Sequence, residues 1–241
     1  MRRLVDRVDE AIFARFPEYV RAVVIAWDVD NTSRDPEIAM RLSEATLQAQ
    51  HIVARQGVTT HAHVAAWRKA YKAFGMWDGR SYSAVEALAR RARSGKPVRR
   101  INPLVDLMNT LSLLHFVPVG GDDVERIQGN VALRQATGEE VFVPFNSEEQ
   151  VSPPAGEVIY VDDAGRVMCR KWNWRQGRFT AITPQTRTAL CNVDILPPLS
   201  QEDGARLVAQ LAEWIEVFLG GRTATALITA STPQVELTCP G

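Results

Sequence analysis

INPLVDLMNTLSLLHFVPVGGDD, residues 101–123, reads as one helix followed by a sharp break. Asn102 stands where an N-cap belongs, and Pro103 occupies the first turn, where a missing N–H costs nothing. Leu104, Leu107, Met108 and Leu111 recur at helical spacing and form a buried stripe. VPVGGDD ends the helix. Two glycines at that exit permit close backbone approach to a ligand, and their N–H groups form an anion-holding concavity. The alternative is a tight turn in which Asp122 caps the next segment.

Upstream, Leu4, Val5, Val8, Ile12 and Phe16 predict an amphipathic helix over residues 3–16. VRAVVIAWDVD (20–30) is β-branched and apolar, a buried strand. Asp35 caps a helix with Pro36 at its first position, running to the mid-fifties. A further helix over 62–74 places Trp67, Tyr71 and Phe74 on one stripe, with Arg68, Lys69 and Lys72 beside it. S-A-V-E at 83–86 is a capping box, and Gly95 with Pro97 closes that helix. SGKPVRR (94–100) marks the boundary between a helical N-terminal part, residues 1–95, packed on the core and the core itself, residues 96–221.

Downstream, NVALRQATGEEVFVPF (130–145) reads as two strands around a TGEE turn, and GEVIYVDDAGRVMCRKWNW (156–174) as a hairpin turning at DDAG. FTAIT (179–183) adds a short strand. S-Q-E-D at 200–203 caps a helix carrying Leu207, Leu211, Trp214, Ile215 and Phe218, which Gly220 and Gly221 end. Residues 222–241 are a frayed tail or an added strand. The sum is an α+β chain with helices toward both ends and antiparallel hairpins between them.

The 241 residues suit one large domain or two small ones, and 28 basic residues balance 28 acidic ones. That balance disfavours a sequence-blind polyanion coat and leaves room for a local basic patch. Cys169, Cys191 and Cys239 have no CxxC spacing, and no signal-like segment opens the chain, so a reducing cytoplasm is expected. No apolar run approaches the roughly 18 residues of a membrane span.

RKWNWRQ (170–176) places two tryptophans around an asparagine amid cations. On a strand, Arg170, Trp172 and Trp174 share one face while Lys171, Asn173 and Arg175 share the other. Either the tryptophans fill the core and the polar set faces water, or the amide and cations bind a carbonyl or phosphate. Aromatic rings beside cations also suit stacking on unpaired bases. His61 and His63 form an HxH pair that a strand would aim at one ion, but spacing supplies no third ligand, so no metal is expected. Neither GxSxG nor GxxxxGK[ST] occurs.

With WRKAYKAFG (67–75), SAVEAL (83–88), GEVIYVDD (156–163), CRKWNWRQ (169–176) and LPPLS (196–200), the 101–123 stretch resembles the B3/B4 editing domain of the bacterial phenylalanyl-tRNA synthetase beta subunit. More closely it resembles free-standing proteins built on that domain. Synthetase chains open the helix with a pattern like N-N-V-V-D-x-x-N and close it with P-L-H-A-F-D. Asn102, Val105, Asp106, Asn109, Pro118 and Asp123 fall in that register, and the likeness runs over roughly residues 65–221. It implies a B3/B4-like antiparallel sheet core with flanking helices, no cofactor, and tRNA or aminoacyl-tRNA as partner. A free amino acid is a further partner, and neither DNA nor a membrane is expected.

In the synthetase this domain hydrolyses tyrosine wrongly attached to the phenylalanine tRNA. The resemblance implies a pocket where Gly121 and Asn173 serve the chemistry. Asn102, Asn109, Gly120, Asp122, Trp172, Trp174, Arg175 and Gln176 would bind substrate, and Arg99, Arg100 and Lys171 would contact RNA. The family's loop histidine is Gly120 here and its glycine-rich strand end is Trp-Asn-Trp-Arg-Gln, so the amino-acid specificity differs. An aminoacyl ester is already activated, so holding the carbonyl, placing a water and supplying oxyanion donors suffice, with the neighbouring ribose hydroxyl assisting proton transfer. The rival readings are a non-catalytic module that binds tRNA or an amino acid, and an enzyme acting on another amino-acid derivative.

Overall fold

The computed structural model describes residues 2–145 and 147–239. Strand β1 (Arg2–Val8) and helix α1 (Glu10–Arg15) open the chain in place of the single helix expected over 3–16. Leu4 and Val8 fit one helical face, but they also share one face of a strand with Asp6 between them. The alternation is masked because its middle member is a carboxylate, which is buried beside Arg21 of strand β2 (Val20–Trp27). Asp9 caps α1 through the Ala11 N–H.

Helix α2 (Pro36–Gln56) starts at the Asp35 cap, and α3 (Ala62–Ala73) and α4 (Ala84–Arg93) follow as read. Only half of the capping box at α4 forms. Ser83 accepts from the Glu86 N–H, while the Glu86 carboxylate turns to Arg90 at 2.9 Å. Helix α5 (Pro103–His115) is capped by Asn102 and closed by Phe116 with φ 54°.

The bend expected at the diglycine is instead strand β3 (Val119–Asp123), and neither Gly120 nor Gly121 has a positive φ. Strands β4 (Val131–Gln135), β5 (Val158–Asp162), β6 (Val167–Arg170), β7 (Arg175–Gln176) and β8 (Ala189–Ile195) follow. The TGEE hairpin does not form, because β4 pairs with β1 and β5, and Val141 and Phe142 make single bridges elsewhere. FTAIT is irregular, its Thr180 carbonyl accepting from the Asp123 N–H. Helix α6 (Gln201–Leu219) has the full capping box between Ser200 and Asp203. Of the two readings for 222–241, the strand is found twice, as β9 (Arg222–Ile228) and β10 (Gln234–Cys239). Residues 240 and 241 lie outside the described residues.

Two sheets result, ordered β10-β1-β4-β5-β6-β7 and β3-β8-β2-β9, antiparallel except for β1 with β4. The N-terminal segment supplies one strand to each. One face of the four-stranded sheet, with Ala22, Val24, Cys191 and Val193, packs on Leu107, Leu111, Leu211 and Ile215 of α5 and α6. Its other face carries Val23, Ile25 and Leu190, packed with Leu133, Val158 and Met168 of the larger sheet.

Between the sheets lies an ion pair. Arg21 Nη2 stands 2.8 Å from Asp6 Oδ2, with both side chains at most 1% exposed, and the guanidinium covers the Tyr160 ring at 4.3 Å. Burial raises the Asp6 pKa, which Arg21 only partly offsets. Arg21 Nη1 has no partner among the described residues. Removing one member leaves a buried charge uncompensated, so Arg21→Met is expected to lower the unfolding free energy by about 3–5 kcal/mol. The double change Asp6→Leu with Arg21→Met should recover most of that loss in urea titrations at pH 7. Equal losses for the single and double variants would refute this account of the pair.

Candidate functional site

Residues 171–174 form the four-residue turn that joins β6 to β7. Lys171 (φ 46°) and Trp172 (φ 66°) are in the left-handed region, which is strained for residues other than glycine. The strand alternation read for RKWNWRQ therefore does not apply: Trp172 and Asn173 both point inward, at 0% and 8% exposure. Packing holds the strained backbone in place. The Trp172 ring meets Tyr19 at 5.0 Å, Trp67 at 5.2 Å and Phe74 at 5.8 Å, each edge to face.

Asn173 is fixed from three sides. Its Oδ1 accepts from Tyr71 Oη at 3.1 Å, its Nδ2 donates to Asp194 Oδ2 at 3.1 Å, and its carbonyl accepts the Ala84 N–H at the start of α4. Asp194 is fully buried on β8. Its Oδ1 also accepts from Tyr19 at 2.8 Å, Tyr160 at 2.7 Å and Asn192 at 3.2 Å.

A cavity of about 170 Å³ opens beside this network, lined by β3, the hairpin turn and Asn192. It gathers seven of the residues singled out from the sequence: Gly120, Gly121, Asp122, Trp172, Asn173, Trp174 and Gln176. The two glycines serve opposite faces of β3. A Cβ on Gly121 would stand 3.0 Å from Met108 and from Ile182 on the helix side, whereas one on Gly120 would meet only Asn192, at 3.4 Å or more.

Asp122 is 5% exposed, and its Oδ1 accepts from Thr180 and from Gln176 Nε2. Burial raises its pKa to about 6, against the lowering pull of those donors and of Arg21. Burial also pushes the Cys169 thiol far up, and the Cys191 thiol to about 12, so both stay protonated at neutral pH.

The other expected site residues lie elsewhere. Asn102 caps α5 and donates to the Ile182 carbonyl on the helix side of the sheet. Asn109 is half-buried in the body of α5, and Arg175 is exposed with its guanidinium 5.8 Å from the Trp174 ring. Neither lines the cavity. Arg99 is exposed, and Arg100 pairs with Asp106 at 3.0 Å. The Lys171 side chain, 12% exposed, is held by Asp78 at 2.7 Å and Ser81 at 2.8 Å, in a separate cleft with Arg15 and Glu157.

His61 and His63 are not on a strand. His61 precedes α3 and stacks on Phe116, and His63 bonds to the His115 carbonyl. Burial, with His63 adding to it, lowers the His61 pKa to about 4. No group of three or more metal-ligating side chains occurs among the described residues. No described helix is long and apolar enough to cross a membrane.

Sequence reading missed Asn192, Tyr160, Asp194, Tyr19 and Tyr71. One signal was present in LCNVDI (190–195), where Asn192 and Asp194 interrupt one face of an apolar strand.

The protein is an α+β domain whose facing sheets enclose a small cavity carrying the polar groups of Asp122, Asn173, Gln176 and Asn192 on its wall. The chain belongs to the B3/4 domain family, whose model matches residues 66–211. Over 68 residues it is 31% identical to the phenylalanine–tRNA ligase beta subunit of Mycoplasma genitalium, covering 28% of this chain and 8% of that protein. An N-terminal fragment of the phenylalanyl-tRNA synthetase beta subunit from Pyrococcus horikoshii aligns with a TM-score of 0.44 and 15% identity, over 90% of this chain and 49% of that one. The chain thus spans less than half the length of either relative.

Asp122 gives the site a pH signature. Its folded pKa of about 6 lies above the ordinary 3.8, so the folded state binds that proton more tightly than the unfolded chain. The resulting stabilisation is present below pH 4 and is lost as pH rises through 6. Above that, the ionised carboxylate destabilises the fold by up to about 3 kcal/mol. Asp122→Asn removes the titration, so it should melt above wild type at pH 8, with the difference shrinking toward pH 4. A difference that does not vary with pH in thermal melts would rule out a desolvated Asp122.

Proposed function

We propose that this chain hydrolyses the ester of a mischarged aminoacyl-tRNA in trans, in the cytoplasm. The supporting observation is the single cavity shared by Gly121, Asp122, Asn173 and Gln176, in a chain whose family relatives include phenylalanine–tRNA ligase beta subunits. At about 170 Å³ the cavity is smaller than the roughly 300–1,000 Å³ typical of whole small-molecule sites. An aminoacyl group fits, and the terminal adenosine stays at the mouth.

In this reading the chain's own groups bind and orient. Asn173 keeps one Nδ2 hydrogen beyond its bond to Asp194. The Asp123 N–H leaves β3 on its open edge to reach Thr180, and strand alternation puts the Gly121 N–H on that same edge. The free Asn173 Nδ2 hydrogen and the Gly121 N–H serve the oxyanion. Water attacks the carbonyl carbon, the ester C–O bond breaks, and the ribose oxygen leaves with a proton relayed by the neighbouring hydroxyl. The products are a free amino acid and uncharged tRNA. Arg91, Arg93, Lys96, Arg99 and Arg100, all exposed around the end of α4, form the basic surface offered to the tRNA. Lys171, tied to Asp78, contributes less.

A second reading, binding without turnover, draws on the commitment of both Asn173 polar atoms to internal bonds and on the protonated Cys169 thiol. It predicts ligand-induced thermal stabilisation with no ester cleavage.

Incubation with a panel of radiolabelled mischarged tRNAs tests the first reading. At least one pair should be deacylated well above its spontaneous rate, and none being so would exclude it. Asn173→Ala should lower kcat by about 10²–10³. It should also destabilise the fold by about 1–3 kcal/mol, because Tyr71 and Asp194 each lose a partner, so turnover is read well below the variant's melting temperature. Arg99→Ala should make the salt dependence of tRNA binding shallower by about one unit of slope, and Lys171→Ala by less.

A further inference from the structure

We infer that the cavity selects an acyl group bearing a free, positively charged α-ammonium, held between Asp122 Oδ2 and Asn192 Oδ1. This rests on the cavity being the acyl-group site. Both hydrogen bonds to Asp122 fall on Oδ1, leaving Oδ2 without a partner among the described residues. Asn192 spends its Nδ2 on Asp194, and its Oδ1 likewise has no partner. Neither free oxygen is among the sealed, unsatisfied atoms of the interior. Both residues line the cavity while being 5% and 6% exposed, so these acceptors are presented to that space. Gly120 leaves the Asn192 oxygen uncovered, because a Cβ there would come within 3.4 Å of it.

The charges nearby favour a cation. Asp6, Asp122 and Asp194 are carboxylates on this side of the four-stranded sheet, and Arg21 is the one cation among the buried residues there. Arg21 is paired with Asp6 and does not line the cavity. Asp122 and Asp194 are met only by neutral donors. Two acceptor oxygens, one of them a carboxylate's, complement an ammonium, which offers three N–H donors and a positive charge. A hydroxyl satisfies only part of that, and a free carboxylate is repelled.

Calorimetric titration with L-amino-acid amides, from glycinamide to phenylalaninamide, and with their N-acetyl counterparts provides the test. At pH 7, where these amides are largely protonated and Asp122 is mostly ionised, at least one should bind wild type, with its N-acetyl form at least tenfold weaker. Asp122→Asn should lose at least tenfold for that amide. Equal binding of the free and acetylated forms, or no binding of any amide at 10 mM (about 3 kcal/mol of affinity), would overturn the inference. Mischarged N-acetyl-aminoacyl-tRNA separates the two ideas. If it is cleaved as fast as the free-amine form, the ammonium site fails and the hydrolase stands. If neither ester is cleaved while the amides still discriminate, the hydrolase fails and the ammonium site stands.

Discussion

A single carboxylate organises this molecule. Asp194 is wholly buried, yet it accepts hydrogen bonds from Tyr19 before β2, Tyr160 on β5, Asn173 at the hairpin tip and Asn192 on its own strand. A buried charge without such partners would be prohibitive. Its four donors come from both sheets and from the turn, so satisfying it fixes how the sheets face each other. Buried polar networks of this kind specify one arrangement because a half-satisfied version is worse than none. The neighbouring Asp6–Arg21 pair links β1 of one sheet to β2 of the other in the same way.

The cavity follows from that arrangement. Asn173 must reach Asp194, so the hairpin tip turns inward, and Trp172 is carried with it into a nest of Tyr19, Trp67 and Phe74. The left-handed backbone at Lys171 and Trp172 is the local consequence. On the opposite wall, β3 brings no side chain at Gly120, so space remains where hairpin and sheet would otherwise close. The same strand needs Gly121 for packing against α5. One glycine makes room for a ligand and the other for the core.

Much of the fold was legible in the sequence. The α5 helix, its Asn102 cap, the α6 capping box and the DDAG hairpin are local features, set by residues a few positions apart. The family membership reads from motifs in order. What escaped depends on partners far along the chain. Strand β1 looks helical until Arg21 explains a carboxylate at Asp6, and β9 and β10 look like a tail until β2 and β1 supply edges to pair with. Of the cavity's lining, Gly120, Gly121, Asp122, Asn173 and Gln176 were legible because they sit in two short motifs. Asn192 and Asp194 were not, since a polar pair on an apolar strand acquires meaning only opposite Tyr160 and Asn173. Asn102 does not line the cavity. It starts the helix behind β3, and the sheet stands between it and the cavity.

The pairing of β1 has a bearing on how the chain folds. Residue Arg2 lies opposite Cys239, and Asp6 opposite Val131 on the other side. Its two neighbours thus come from segments remote along the chain, and neither edge is covered until those segments have been brought to it. Until then its edges are open and its buried charge lacks a finished enclosure. Such long-range closure slows folding and leaves incompletely folded chains prone to association. For this polypeptide, the vulnerable interval is the time before residues 234–239 arrive to cover that edge.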